Sequence, residues 1–207
     1  MYRRPEFLYF DLGKVILHFS HARMCQQVAD ALGASVAEVQ AFLFSPEIHL
    51  PYERGQLSTD DLLAQLNRRF GGQLQRSAAV AALGDIFWLN APIVPLLVGL
   101  KSAGYRLGLL SNTCDAHWQV ATQQFSLLNW LFEVQVLSFC ENATKPDEAI
   151  YQRAAEKADS DTNRLFFVDD LLENVEGARA AGVDAVLFTS VPALAADLRR
   201  REIHFRY

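Results

Sequence analysis

Residues 7–19, FLYFDLGKVILHF, contain the clearest local indication of the fold. Residues 7–10 form a continuous apolar run rich in aromatic side chains, which is typical of a strand buried on both faces. Asp11 follows directly and is therefore predicted to lie at the carboxyl end of that strand. In open α/β sheets this edge forms the crevice where ligands bind, although an aspartate there is equally compatible with a simple turn into Gly13.

Three further motifs follow downstream and favour the ligand-binding interpretation. They are LGLLSN at residues 107–112, the pair Lys145-Pro146, and LFFVDD at residues 165–170 followed by Glu173-Asn174. Together with FDLG at residues 10–13, they resemble the motifs of the haloacid dehalogenase-like hydrolase superfamily, in the same order and over nearly the whole chain. The resemblance implies an α/β core and, for most members of that superfamily, a magnesium-dependent phosphatase activity.

The composition is that of a globular protein of moderate size. With 207 residues, 51% of them hydrophobic and 21% charged, the chain can bury a substantial core, which excludes the disordered and fibrous classes. The formal net charge of -5 argues against a nucleic-acid-binding surface. No segment approaches the roughly 20 apolar residues that a membrane span needs. The three cysteines lack a CxxC spacing, so we expect reduced thiols and a cytoplasmic protein.

Residues 18–89 show helical periodicity. Helices are predicted up to Gly33, from Ser35 to the Ser45-Pro46 pair, from about Thr59 to residues 71–72, and over roughly residues 77–88. A capping box at residues 35–38 supports the start of the second helix. The segment is therefore predicted to form a small helical bundle inserted after the first strand, and the resemblance implies that this bundle is a cap over the active site.

Residues 90–207 alternate between predicted helices and strands. Strands are predicted at residues 106–110, 133–137, 165–168 and 185–188, each separated from the next by a helix. Such alternation is typical of parallel strands joined by right-handed crossovers. The predicted fold class is α/β, a Rossmann-like parallel sheet flanked by helices, with residues 1–17 and 90–207 as the core domain and residues 18–89 as the cap domain.

The resemblance assigns catalytic roles to residues at these strand ends. Asp11 is the candidate nucleophile, which would form an aspartyl-phosphate and so divide one difficult displacement into two easier ones. Ser111 and the amide of Asn112 are candidates for holding a phosphoryl oxygen. Lys145 is a candidate cation that bridges the nucleophile and the transferring group. The expected partner is a small phosphorylated substrate.

Asp169 and Asp170 are the most specific local feature. Two adjacent carboxylates after a buried apolar run repel each other, and a bound cation is the simplest compensation. Mg²⁺ fits because it prefers oxygen ligands and binds through one or two carboxylates together with a substrate phosphate. By the superfamily pattern, Asp170, Asp11 and the main-chain carbonyl of Gly13 are the metal ligands, and Asp169 holds a metal-bound water.

Gly13 departs from the phosphatase pattern, which usually has a second aspartate at this position. The leading interpretation is a Mg²⁺-dependent phosphatase of small phosphorylated metabolites. The motifs resemble a branch of the superfamily that includes sugar-phosphate phosphatases, notably those acting on glucose 1-phosphate. A 2-haloacid dehalogenase also lacks the second aspartate but needs no metal, and a catalytically weak binding or regulatory protein is the third alternative. His18 is the first candidate to replace the missing acid.

Several other polar residues are candidates for contact with the substrate, and the sequence leaves their roles open. His18 lies where the chain enters the predicted cap, while His49 and Arg54 fall in a predicted loop between cap helices. His117 follows Ser111 by about one helical turn and is placed either at the rim of the site or in helix packing. The oligomeric state is expected to be a monomer or a homodimer.

Overall fold

Seven strands and twelve α-helices are present in the computed structural model, which describes residues 4–207. The strands are β1 Phe7–Phe10, β2 Leu17–Phe19, β3 Phe87–Leu89, β4 Arg106–Ser111, β5 Val134–Leu137, β6 Leu165–Asp169 and β7 Asp184–Leu187. The helices are α1 His21–Leu32, α2 Val36–Leu43, α3 His49–Glu53, α4 Thr59–Phe70, α5 Arg76–Gly84, α6 Val94–Ser102, α7 Asp115–Gln124, α8 Leu127–Trp130, α9 Ser138–Glu141, α10 Glu148–Ala158, α11 Leu172–Ala180 and α12 Val191–Arg200. Short 3-10 helices lie at Ala91–Ile93 and Thr162–Arg164.

The main sheet has five strands in the order β5-β4-β1-β6-β7, and all of its pairings are parallel. The predicted α/β class with a parallel sheet is therefore confirmed. In the register of the central strand, Phe10 lies opposite Leu109 of β4 and Val168 of β6. The carboxyl ends of these three strands consequently meet at one edge of the sheet, where Asp11 follows β1.

The central strand is buried because both of its faces are covered by apolar side chains. Leu8 and Phe10 belong to one hydrophobic cluster with residues of α6 and α12, whereas Phe7 and Tyr9 belong to a second cluster with residues of α10 and α11. Successive side chains of a strand point to opposite faces, so this alternation places one cluster on each side of the sheet. The continuous apolar run of residues 7–10 is thus explained by two covered faces.

The helical segment, α1 to α5, begins and ends in a two-stranded ribbon that the sequence did not predict. In this ribbon β2 pairs antiparallel with β3, and Leu17, His18 and Phe19 lie opposite Leu89, Trp88 and Phe87. The last predicted helix of the segment was placed over residues 77–88, but α5 ends at Gly84 and residues 87–89 form β3. The prediction missed the ribbon because each strand has three residues, and their pairing spans the whole helical segment.

Polar contacts and one close main-chain approach hold the helical segment against the sheet domain. Arg54 forms an ion pair of 2.7 Å with Asp147, and the Thr59 hydroxyl donates a hydrogen bond of 3.1 Å to Asp115. The predicted loop around residues 49–53 contains the short helix α3. Gly55, just after this helix, packs so closely on α9 that an added Cβ would overlap the main-chain oxygen of Phe139.

Among residues 4–207, no helix is long and apolar enough to cross a bilayer. The longest, α1 and α4, have 12 residues each, whereas a span takes roughly 20.

Gly55 and Gly71 offer a matched test of the contact between α3 and α9. Both residues have a left-handed backbone, with φ of 68° and 69°, but an added Cβ meets nothing within 4 Å at Gly71. Gly71→Ala should cost about 1–2 kcal/mol through the left-handed conformation alone. Gly55→Ala should cost about 1–3 kcal/mol more because the Cβ overlaps Phe139. Urea unfolding of both variants measures the difference, and equal free energies of unfolding would show that α9 yields to the methyl group.

Candidate active site

Three neighbouring strands deliver polar side chains to the same edge of the sheet. Asp11 follows β1, Ser111 ends β4 and Asp169 ends β6. The register places them side by side, and the Asp11 amide donates a hydrogen bond of 2.9 Å to the Val168 carbonyl oxygen of β6. All three residues are buried. The first strand-end prediction therefore has a geometric basis in the parallel sheet.

Lys145 occupies the centre of this group, although it belongs to the loop that precedes α10. Its Nζ atom donates hydrogen bonds of 2.7 Å to Asp11 Oδ1, 2.6 Å to Asp169 Oδ2 and 3.0 Å to the Leu110 carbonyl oxygen. These contacts use all three donors of the ammonium group. Its side chain is 2% exposed, so the charge is compensated by the two carboxylates rather than by water.

Asn112 holds the main chain of Lys145 in position. Asn112 Nδ2 donates a hydrogen bond of 2.9 Å to the Lys145 carbonyl oxygen, and the Lys145 amide donates one of 2.8 Å to Asn112 Oδ1. The side-chain amide of Asn112 thus uses both its oxygen and its nitrogen to bind the Lys145 main chain. The structure thus shows a role for the Asn112 side chain, whereas the sequence analysis considered its main-chain amide.

Asp169 is oriented by residues of the following helix. Its Oδ1 accepts hydrogen bonds from the Leu171 amide at 2.8 Å and from Asn174 Nδ2 at 3.1 Å. The main-chain oxygen of Asn174 in turn accepts a hydrogen bond of 2.7 Å from the Tyr151 hydroxyl. Sequence reasoning gave Asn174 no role, although it stands in the motif that follows the strand. Only the folded position of α11 shows that it orients Asp169.

The carboxylates at this edge fit a divalent cation. Asp11, Asp169 and Asp170 each offer one oxygen, and these oxygens lie within 4.8 Å of one another. Lys145 leaves part of the negative charge of these three carboxylates uncompensated, and the ion pair of 3.1 Å between Asp170 and Lys14 is open to solvent on the lysine side. The Gly13 carbonyl accepts a hydrogen bond of 2.7 Å from the Val15 amide and keeps a second lone pair for a ligand. Oxygen donors with net negative charge suit Mg²⁺.

The protonation of the group follows from burial and from the neighbouring charges. Burial raises the pKa of Asp11 above its ordinary value, the Lys145 ammonium lowers it, and the nearby Asp169 raises it further. Burial alone would lower the pKa of Lys145, but Asp11 and Asp169 outweigh burial and raise it. Lys145 therefore remains charged, and an additional cation would favour the ionised form of Asp11.

A cavity of about 50 Å³ adjoins Gly13. Gly13, Ser111 and Asn112 line one side, while Phe19 and Phe87 of the ribbon contribute apolar rings. The ring of Phe19 fills the space beside Gly13, since an added Cβ there would lie 2.9 Å from Phe19 Cε1. The cavity is therefore shaped by the absence of a side chain at residue 13.

The structure brings Asp11, Lys145, Asp169 and Asp170 together, and it places Ser111, Asn112 and Gly13 beside the cavity. It does not bring His18 or Arg54 to this group. His18 lies on the ribbon against Trp88, with ring centroids 5.8 Å apart, on the opposite strand face from Phe19. Arg54 is engaged with Asp147 at 2.7 Å and with the Thr144 hydroxyl at 3.3 Å, beside the loop of Lys145.

Two similar proteins are named as phosphatases. The chain is 27% identical over 197 residues to the sesquiterpene phosphatase astK of Aspergillus oryzae, and the match covers 92% of this chain and 93% of that protein. It is 34% identical over 93 residues to phosphatase MT3486 of Mycobacterium tuberculosis, covering 45% of this chain and 43% of that protein.

The fold is shared with solved structures. The HAD family enzyme BT-2542 of Bacteroides thetaiotaomicron, in a complex with magnesium and inorganic phosphate, superimposes with a TM-score of 0.77 at 22% identity, covering 89% of this chain and 94% of that chain. A family model for haloacid dehalogenase-like hydrolases matches residues 9–182. The chain therefore belongs to the haloacid dehalogenase-like hydrolases.

Proposed function

We propose that this protein is a Mg²⁺-dependent phosphatase that hydrolyses small phosphorylated metabolites through an aspartyl-phosphate on Asp11. The observation that carries the proposal is the buried Lys145 ammonium bonded to both Asp11 and Asp169, with the Asp170 carboxylate nearby. This arrangement combines a nucleophile with fixed positive charge and with oxygen ligands for a cation. Phosphoryl transfer needs these three features because positioning and charge stabilisation supply most of its catalysis.

The reaction divides into two displacements. In the first, an Asp11 carboxylate oxygen forms a bond to phosphorus, and the bond from phosphorus to the ester oxygen breaks, so that the ester oxygen leaves with the bonding electrons and takes a proton from solvent. In the second, the oxygen of a water molecule bonds to phosphorus, the bond from phosphorus to the Asp11 oxygen breaks and a water proton passes to solvent, which releases inorganic phosphate and restores Asp11. Lys145 fixes the position of Asp11, while Ser111 and Asn112 are proposed to bind phosphoryl oxygens. Asp11, Asp170 and the Gly13 carbonyl would hold Mg²⁺, and the bound ion would neutralise negative charge on the phosphoryl group.

The alternative functions account less well for the same residues. A 2-haloacid dehalogenase needs no metal, and the clustering of Asp169 and Asp170 with Asp11 would then have no purpose. Only Gly13 favours a catalytically weak binding protein. Lys145 makes all three of its possible hydrogen bonds, which argues instead for an intact catalytic site. The similar phosphatases support the proposed activity, whereas a sugar phosphate as the substrate rests on sequence resemblance.

The remaining parts of the proposal concern the setting of the enzyme. We propose a small phosphorylated molecule as the partner and helices α1 to α5, between the ribbon strands, as a cap that encloses it. A cytoplasmic location, the domain boundaries at residues 18 and 90, and a monomeric or homodimeric state remain predictions.

Asp11→Asn should lower the turnover of para-nitrophenyl phosphate by on the order of 10³-fold or more, because the amide is not a nucleophile. The fold should persist, since asparagine is nearly isosteric and Lys145 keeps its bonds to Asp169 and Leu110. Steady-state kinetics and thermal unfolding of wild type and variant measure both effects. Substantial turnover by the Asp11→Asn protein, once it is shown to be folded and to carry asparagine at residue 11, would refute the mechanism.

Mg²⁺ affinity should depend more on Asp170 than on Asp169. Asp169 is already bonded to Lys145 and Asn174, whereas Asp170 is ion-paired to Lys14, whose side chain is exposed to solvent. Asp170→Asn should therefore abolish measurable Mg²⁺ binding in titration calorimetry, while Asp169→Asn should weaken it by about 10- to 100-fold.

Asp161→Asn is the matched control for this titration, because Asp161 is exposed at the opposite edge of the sheet, before β6. It should bind Mg²⁺ as wild type does. Unchanged affinity in Asp170→Asn would contradict the ligand assignment.

Gly13 should make the enzyme sensitive to its leaving group. A positioned acid typically contributes about 10²- to 10⁴-fold, and glycine cannot protonate the departing oxygen. Wild type should therefore prefer anomeric, aryl or acyl phosphates over phosphates of simple alcohols, with kcat/KM falling steeply as leaving-group pKa rises. Gly13→Asp should flatten this dependence.

Gly13→Asn provides the steric control, since it places the same bulk against Phe19 without an acidic proton to transfer. Both variants are best made with Phe19→Leu, which relieves the approach of the added Cβ to the Phe19 ring. A flat dependence in wild type, with chemistry rate-limiting, would show that another group supplies the proton.

A further inference from the structure

His117 carries a buried nitrogen without a partner. Its Nε2 atom has no hydrogen-bond partner among residues 4–207, and the residue lines the cavity beside Gly13. Buried side-chain polar atoms are paired in the large majority of cases, so an unpaired one calls for a specific explanation. The sequence allowed two positions for His117, at the rim of the site or in helix packing. Its place on the cavity wall favours the rim.

The protonation of the imidazole decides what the unpaired atom can bind. A hydrogen bond to the main chain of Leu83 raises the pKa of His117, which identifies the imidazole as the donor in that bond. Since Nε2 is unpaired, the donor is Nδ1. Burial is the dominant influence and lowers the pKa of His117 to about 4, so the ring is neutral at pH 7. Nε2 therefore presents a lone pair and can only accept a hydrogen bond.

Close packing of two helices keeps the imidazole in this orientation. Leu83 and Gly84 end α5, which packs on α7, and a Cβ at Gly84 would come within 2.6 Å of the Ala116 carbonyl oxygen. The absence of that methyl group lets the main chain of α5 approach α7 closely. His117 on α7 is then held from behind by Leu83, and Phe87 packs edge-on against it, with ring centroids 5.6 Å apart.

No described residue on the cavity wall reaches Nε2 of His117. Ser111, Thr113 and His21 line the same cavity and carry groups that can donate a hydrogen bond, but Nε2 has no hydrogen-bond partner among residues 4–207. A molecule bound in the cavity can supply the missing donor. A volume of about 50 Å³ exceeds the 10–15 Å³ or so that one water needs, so there is room for several water-sized groups.

We propose that His117 determines substrate specificity by accepting a hydrogen bond from a hydroxyl or amine group on the leaving group of the substrate. This inference rests on the proposed phosphatase function, because the phosphoryl group would lie against Ser111 and Asn112 on the same cavity. The leaving groups that fit are small and carry one hydrogen-bond donor on an otherwise apolar frame.

Two stable phosphonates test this selectivity without turnover. Ethylphosphonate and 2-hydroxyethylphosphonate differ by one hydroxyl group, and calorimetry on the Mg²⁺-loaded full-length protein gives a dissociation constant for each. In wild type the hydroxylated compound should bind about 3- to 10-fold more tightly, the range expected for one net hydrogen bond. His117→Phe should remove this ratio, and His117→Gln, which keeps an acceptor on the side chain, should restore part of it.

Thermal unfolding separates this role from packing. His117→Phe removes an unpaired buried nitrogen but also the hydrogen bond to the Leu83 main chain, so its Tm should fall by no more than the loss of one hydrogen bond explains. A larger fall in Tm together with an unchanged affinity ratio would assign His117 to packing and overturn the inference.

Failure of the inference and failure of the proposed function give different results. Turnover of para-nitrophenyl phosphate and binding of ethylphosphonate, with equal affinities for the two phosphonates in wild type, would overturn the role of His117 alone and leave the cavity to water. Absence of Mg²⁺-dependent turnover, with the hydroxyl preference intact and dependent on His117, would overturn the phosphatase function and keep the binding role. Absence of turnover and of phosphonate binding would overturn both.

Discussion

The buried ammonium of Lys145 is the interaction on which the site depends. An isolated charge in the protein interior costs several kcal/mol, and this one is sustained by two carboxylates and a main-chain oxygen. Those three acceptors belong to the ends of β1, β4 and β6, so a single side chain fastens three neighbouring strands at one edge. The loss of any acceptor would leave a charge or a donor unpaired, which ties the precision of the site to the register of the sheet.

The same geometry explains why the site suits a cation together with an anionic substrate. Three carboxylates cluster here. Two of them are ion-paired to the buried Lys145, and the third, Asp170, is ion-paired to Lys14, whose side chain is exposed to solvent. A bound cation relieves the repulsion among the carboxylates. Because their negative charge is then compensated, a phosphate dianion can bind beside them. Residues 4–207 thus place charges of both signs where phosphoryl transfer requires them.

Sequence reasoning located the strand ends correctly because the decisive information there is local. Asp11 and Asp169 end apolar runs, and the rule that parallel strands share a ligand-binding edge brings such residues together without knowledge of any side-chain contact. Asn174 was missed because its link to Asp169 depends on how α11 packs. His18 was named as a candidate without knowledge of the strand face. Neighbours in β2 point in opposite directions, and Phe19 rather than His18 lines the cavity.

The ribbon of β2 and β3 has a mechanical consequence. The chain enters the helices α1 to α5 through one strand and leaves them through the other, and the strands are hydrogen-bonded along their length. Any rotation of these helices relative to the sheet must therefore twist both strands together, as one torsional hinge. Phe19 and Phe87 are opposite each other in this hinge, and both line the cavity. A rotation of the helices would therefore change the width of the cavity at the same time.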